Sequence, residues 1–187
     1  MPTTQERTTD ASEACRLERR ARLLLTLFVV GLVLSGLTAV PIQTGMPWLQ
    51  EIAGEGSWMG ARWPILGTWI SHVHRGVAEV GREQPFLFYG TDWLAFGHIA
   101  IAVFFLGPLR DPVRNLWVIH AGMIACMLVV PWALVLGPIR GIPFFWQLID
   151  CSFGVVGIVP LYLASRYARR IVELDAHRAQ RPHTHPQ

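Results

Sequence analysis

Four ionisable side chains lie within, or at the edge of, long apolar runs: Asp92, His98, His120 and Asp150. An aspartate at the centre of a membrane helix costs roughly 2.5–3.5 kcal/mol on insertion scales, so each such group needs a partner or a function. Carboxylate and imidazole groups transfer protons, and imidazole also binds haem iron. The chemistry open to these residues is therefore proton transfer, ligation, or a hydrogen bond that joins two helices.

His98 and Asp150 are predicted to form a pair. His98 lies near the middle of its run, and Asp150 lies about two turns inside the last run, at ~1.5 Å per residue. The face that carries Asp150 is small and polar and repeats at spacings of three and four: Gln147, Asp150, Cys151, Gly154 and Ile158. We expect this face to be directed into a helical bundle, with His98 and Asp150 joined directly or through water. The pair is then either a structural contact or a proton site.

Asp92 and His120 lie nearer to the ends of their runs. Asp92 follows Tyr89-Gly90-Thr91 and is predicted to be an interfacial residue at a helix start. His120 lies one turn after Trp117 and is predicted to extend toward a phosphate head group. Histidines on two adjacent runs raise the question of haem, but their depths differ and no attachment motif is present. The sequence predicts no cofactor, with haem or quinone as the alternative.

The other candidate ligands are histidines outside the apolar runs. His72 and His74 are a candidate metal pair only in an extended strand, because residues two apart on a helix face different directions. His177, His183 and His185 lie in the C-terminal tail and are expected to bind metal only adventitiously. The three cysteines show no metal or redox spacing, and no phosphate loop, serine elbow or paired-carboxylate motif is present. These features favour a non-enzymatic protein.

The elements that position these residues are predicted from composition and from the apolar runs. The chain has 187 residues, of which 52% are hydrophobic and 16% charged, a balance typical of a membrane protein. Four runs are each long enough to cross a bilayer: 23–42, 86–108, 117–136 and 144–165. The first run is interpreted as an uncleaved span rather than a signal peptide. The fold class is therefore all-α, a four-span helical membrane bundle.

Residues 43–85 are predicted to contain an extracytoplasmic amphipathic helix that lies in the membrane interface. The apolar residues of this helix recur at spacings of three and four: Leu66, Ile70, Val73, Val77 and Val80. Four tryptophans in this segment are typical interfacial anchors. A re-entrant element near Trp63–Ile70, within 59–80, is the alternative interpretation.

Two further patterns concern helix ends and helix packing. Gly107-Pro108 and Gly137-Pro138 open a short repeat, and both are predicted to end a helix. Gly31, Ser35 and Ala39 lie four apart and are predicted to form a seam for close helix approach.

Arginine asymmetry predicts the orientation. Twelve arginines lie in 1–22, 109–116 and 166–187, whereas four lie in 43–85 and 137–143. Positive charge is retained inside, so both tails and the 109–116 loop are predicted to be cytoplasmic, with the 43–85 segment and the 137–143 turn outside. All 16 basic residues are arginine, which favours a GC-rich bacterial genome and thus the inner membrane.

The basic residues also indicate the partners. Five of the arginines on the predicted inner side are candidates for binding lipid head groups: Arg110, Arg114, Arg166, Arg169 and Arg170. Basic residues flank the spans rather than alternate with aromatic residues, so nucleic acid is not an expected partner. The expected partners are the bilayer and a membrane protein or a second copy of the chain.

The sequence thus predicts a small multi-pass membrane protein that is a non-enzymatic accessory or assembly subunit. One alternative is a small redox or proton-coupled membrane protein, with quinone or haem, that uses His98 and Asp150. A second alternative is an oligomeric channel or carrier with Asp92 and Asp150 facing a pore.

Overall fold

A computed structural model describes residues 4–180 of the chain, with side chains for residues 11–179. The described residues form helices and no strand, which confirms the all-α prediction. The elements are α1 (Thr4–Leu37), α2 (Ile42–Ala53), α3 (Trp58–Arg62), α4 (Pro64–Glu83), a 3₁₀ helix (Pro85–Phe88), α5 (Tyr89–Phe104), α6 (Leu106–Arg110), α7 (Leu116–Ile139) and α8 (Phe144–Gln180).

Four of the helical segments are long and apolar enough to cross a membrane: Ala11–Leu37, Pro85–Arg110, Leu116–Ile139 and Phe144–Ala179. The last three contain the predicted runs 86–108, 117–136 and 144–165, whereas α1 ends at Leu37, five residues before the end of the predicted run 23–42. In the most apolar 18-residue stretch of α7, only 11% is buried within the chain, so most of its apolar surface faces outward. Outward-facing apolar side chains on a helix of this length are what a bilayer requires.

The first and last helices extend well beyond the apolar runs. α1 has 34 residues and α8 has 37, which correspond to lengths of about 51 Å and 55 Å, against the ~30 Å hydrocarbon core. Much of the predicted tails is therefore helical. Arg181, His183 and His185 lie outside the described residues.

The described residues divide into two compact units, one formed by those up to Val30 and from Val103 onward, and the other by Gly31–Ala102. The core of the first unit contains Leu25, Ile119 and Leu161, all fully buried. Ala21 and Ala164 are also fully buried in this core. Their small side chains let α1 and α8 approach closely, since helix spacing depends on the side chains at the contact.

The hairpin of α7 and α8 agrees with the predicted helix end at Gly137-Pro138, since α7 ends at Ile139, directly after Pro138. Gly107-Pro108 likewise lies close to the end of α6 at Arg110. The chain reverses at Gly141, whose φ is +69°. Glycine adopts this conformation without the steric cost that other residues incur. Pro108 is tolerated because the N–H groups of a first helical turn have no helical partner.

The second unit is built on close backbone contacts. Gly60 lies against the carbonyl group of Gly54, and Gly67 lies against the Cα of Gly60. Ser71 is 3% exposed, and its hydroxyl accepts from the Glu55 N–H at 2.9 Å and donates to Gln50 Oε1 at 3.0 Å. These contacts hold α2, α3 and α4 together. The segment from Leu66 to Val80 is helical, as the spacing predicted.

Candidate functional site

The four intramembrane polar candidates lie on three helices: Asp92 and His98 on α5, His120 on α7 and Asp150 on α8. His98 belongs to the unit of 31–102, whereas His120 and Asp150 belong to the other unit. Each environment is therefore described separately, and the pairing of His98 with Asp150 stays a prediction.

His98 is a helix-packing residue within its unit. Its Nδ1 lies 2.8 Å from the carbonyl oxygen of Leu94, one turn earlier on the same helix. Because a carbonyl oxygen only accepts, Nδ1 carries the proton in this contact. The Cβ of His98 lies against Gly36 of α1, where an added Cβ would come within 2.5 Å of it. Gly36 is therefore required for the close approach of α1 and α5.

Asp150 lies at the edge of the polar face predicted for α8. That face is directed toward α7, which confirms the prediction for three of its members. Gln147 is 4% exposed and donates to the Ile142 carbonyl at 2.8 Å. Gly154 lies directly against the Cys126 carbonyl, and Cys151 Sγ lies 4.0 Å from the Val130 carbonyl oxygen.

The Asp150 side chain itself is partly buried. No hydrogen bond or ion pair joins its carboxylate to another described residue of its own unit. The close approach to α7 thus explains why this face carries small side chains, whereas the Asp150 carboxylate has no partner among the described residues of its unit.

Asp92 lies in the first turn of α5 and is exposed. A carboxylate in this position interacts favourably with the unpaired N–H groups of a helix start. Its neighbour Trp93 stacks edge-on against Tyr89, with ring centroids 5.9 Å apart. Asp92 thus lies at a helix start, as predicted, and its interfacial position stays a prediction.

His72 and His74 both lie inside α4, so the extended arrangement that would make them a metal pair is absent. The His72 ring instead stacks on Trp69 of the preceding turn, with centroids 5.6 Å apart. No group of three or more histidine, cysteine or acidic side chains among the described residues is placed to hold a metal ion.

His120 contacts one of the predicted head-group arginines. Its Nε2 lies 3.0 Å from Arg169 Nη2, which joins α7 to α8. Arginine has no acceptor atom, so Nε2 accepts this bond and the imidazole is neutral with its proton on Nδ1. The sequence placed both residues near one membrane face but did not predict the bond between them.

Arg166, Arg169 and Arg170 line an open cleft of about 450 Å³ between α1 and α8. Leu17 of α1 forms one wall, and Tyr167 and Glu173 of α8 complete the lining. We call this feature the basic cleft. It brings three of the five predicted head-group arginines into one site.

The two other predicted arginines have different contacts. The Arg110 carbonyl oxygen accepts a bond of 2.8 Å from Arg22 Nη2, which also pairs with Glu18. The backbone N–H of Arg114 donates to the Asp111 carboxylate at 2.9 Å in the turn before α7. These contacts involve their main chains, and neither arginine lines the basic cleft.

The basic cleft was missed because the helical part of the N-terminal tail was missed. A signal was present: Ala14, Leu17, Ala21 and Leu25 recur at spacings of three and four. In α8, Ala164, Ala168 and Ile171 continue the same kind of pattern beyond the apolar run, and all three are buried. Charged residues between these positions concealed the apolar stripe.

Comparison with known proteins adds no family. No protein-family model, no curated protein and no solved structure matches this chain.

Proposed function

We propose that this protein is a non-enzymatic accessory or assembly subunit that packs against another protein in the membrane. The observation that carries the proposal is the environment of Gly31 on α1 and Gly97 on α5. At both positions an added Cβ would meet no atom of the described residues within 4 Å. Both lie well inside apolar spans. A glycine costs a helix about 1 kcal/mol relative to alanine, so a packing reason for each is expected.

Several other glycines of the spans have such a reason within the chain, although Gly90, in the first turn of α5, also has nothing within 4 Å of an added Cβ among the described residues. Gly36 lies against His98, and Gly154 lies against the Cys126 carbonyl. Small residues let helix backbones approach closely, which is the main device of helix association in membranes. At Gly31 and Gly97 an added Cβ meets no atom of the described residues, which fits contact with a helix of another protein.

The contacts of the two span histidines also support a structural role. His98 is bonded to the Leu94 carbonyl of its own helix, and His120 is bonded to Arg169. Each imidazole therefore has one ring nitrogen engaged by its own chain. Among the described residues, no specific contact favours the redox or channel alternatives over packing.

The proposed placement is the bacterial inner membrane with both termini in the cytoplasm. The distribution of twelve arginines against four supports it. Trp48, Trp58 and Trp63 are exposed on α2, on α3 and at the start of α4, with Trp58 79% exposed. Exposed tryptophans suit a layer of helices that lies in the membrane interface on the outer side. Reporter fusions at residues 60 and 187 are expected on opposite sides, and the same side for both contradicts this topology.

The partner is tested by enlarging the two open glycines. Gly31→Leu and Gly97→Leu are expected to abolish co-purification of a partner from mildly solubilised membranes. The unfolding midpoint of the isolated chain should not fall, because a Cβ at either position has open space around it among the described residues. Val30→Leu, at an exposed neighbouring position, is the matched control. Unchanged assembly in both glycine variants contradicts the proposal, and an assembly of this chain alone replaces the accessory role with homo-oligomerisation.

A further inference from the structure

We propose that the basic cleft binds the phosphate group of an anionic lipid in the leaflet on the side of the two termini. This inference does not depend on the partner proposed above, because it concerns different residues and a different ligand. It rests on the charge of the cleft, on the state of its arginines and on its place along α8.

The charge of the cleft is unbalanced. Three arginines and one glutamate line it, which gives a formal charge of +2. Glu173 and, at 3.9 Å, Glu13 pair with Arg170. No carboxylate of a described residue forms an ion pair with Arg166 or Arg169. Two guanidinium groups in one cleft are thus without a counter-charge in the described chain.

These two guanidinium groups are held by neutral partners. Arg169 donates to His120 Nε2 at 3.0 Å, and Arg166 Nη1 donates to the Tyr162 hydroxyl at 3.3 Å. A guanidinium group has five N–H donors, so each arginine retains donors for a ligand. The bond to His120 fixes Arg169 between α7 and α8, which reduces the side-chain freedom lost on binding.

Phosphate is the anion that fits this arrangement. Arginine forms bidentate, charge-assisted bonds to phosphate oxygens, and two arginines near each other provide a fork on two sides. A volume of about 450 Å³ is large enough for a lipid head group. Leu17 supplies an apolar wall and Tyr167 an amphipathic one, which suits a ligand with an acyl chain attached.

The place of the cleft favours a lipid over a soluble phosphate. Arg166 directly follows the apolar run of 144–165, at the depth where head-group phosphates are expected. Basic pockets between membrane helices recognise acidic head groups in this way. A soluble phosphate compound offers the same oxygens but no acyl chains, so experiment distinguishes the two sources.

The test is a titration of the full chain in detergent with phosphatidylglycerol or phosphatidylcholine, followed by native mass spectrometry. We expect preferential retention of phosphatidylglycerol. Each arginine near an acidic lipid contributes about a fivefold gain in affinity, so R166Q/R169Q should lower the affinity for phosphatidylglycerol roughly thirtyfold. R62Q/R140Q removes the same charge from exposed sites outside the cleft and is the control. R166K/R169K keeps the charge without the fork and should give an intermediate loss.

Three results would overturn the assignment. The first is equal retention of the two lipids by the wild-type chain. The second is an equal loss in R62Q/R140Q and R166Q/R169Q, which would indicate only a general charge effect. The third is displacement of phosphatidylglycerol by millimolar inorganic phosphate at constant ionic strength, which would assign the cleft to a soluble phosphate. The comparison of the two lipids and the displacement by phosphate use the wild-type chain, so they test the proposal even if R166Q/R169Q fails to fold.

Discussion

Each of the two units is stabilised by a different kind of internal contact. In the first unit, Leu25, Ile119 and Leu161 fill the space between helices with large apolar side chains. In the second, Gly60 and Gly67 remove side chains altogether, and backbone lies against backbone. The first arrangement is sensitive to the loss of volume and the second to its addition. The comparison predicts opposite responses to the same kind of substitution.

The largest expected effect is the loss of a core side chain in the first unit. Leu161→Ala should lower the free energy of unfolding by roughly 2–5 kcal/mol, because Leu161 is fully buried and its removal leaves a cavity. Thermal or denaturant unfolding in detergent measures this change. Leu148→Ala on the same helix is the matched control, since Leu148 is 51% exposed. If the two variants lose equal stability, the first unit does not have the apolar core described.

Addition of one methyl group should separate two glycines of α4. Gly67→Ala places a Cβ within 2.9 Å of the Gly60 Cα, and the resulting strain should cost about 1–3 kcal/mol. Gly76→Ala meets no described atom within 4 Å and should instead stabilise the helix by up to about 1 kcal/mol. The same unfolding measurement applied to both variants gives opposite signs in this account. A gain in both would show that α3 and α4 are not in close contact.

The smallest of the three effects is the loss of the buried hydroxyl in the second unit. Ser71→Ala removes the bonds to the Glu55 N–H and to Gln50. The expected loss is about 1 kcal/mol, the net value of a typical hydrogen bond, because Glu55 is exposed and water replaces the serine there. Ser152→Ala is the control, as its hydroxyl bonds only to the Ile149 carbonyl of its own helix at an exposed site. Equal free energies of unfolding for the two variants would show that the Ser71 hydroxyl does not stabilise this unit.

The spans were predictable from sequence, whereas their continuations were not. Each apolar run needs only to be counted, because a bilayer imposes a minimum length on a helix. The extension of α8 to Gln180 depends on Ala168 and Ile171 being buried, a tertiary contact that charged neighbours conceal. The bond of His120 to Arg169 joins residues 49 positions apart, and its partners cannot be identified from the spacing within one helix.

The glycine patterns show the same limit in another form. The seam at Gly31, Ser35 and Ala39 stays a prediction, and the sequence did not predict the close contact that Gly36 of α1 makes with His98. Gly137 lies next to the end of α7, as predicted, but it also makes room for the buried Gln147 side chain, which the sequence did not predict. A glycine in a helix can mark a close contact, but only the packed helices show which residue makes that contact.

The most direct test of the proposed packing role is site-specific photo-crosslinking in native membranes from residue 31 and from residue 97. The account predicts one discrete adduct with another membrane protein from each position. It predicts none from residue 135, a 59% exposed position on α7. Crosslinking from residues 31 and 97 that does not exceed the yield from residue 135 would contradict it, because the open glycines would then face only lipid.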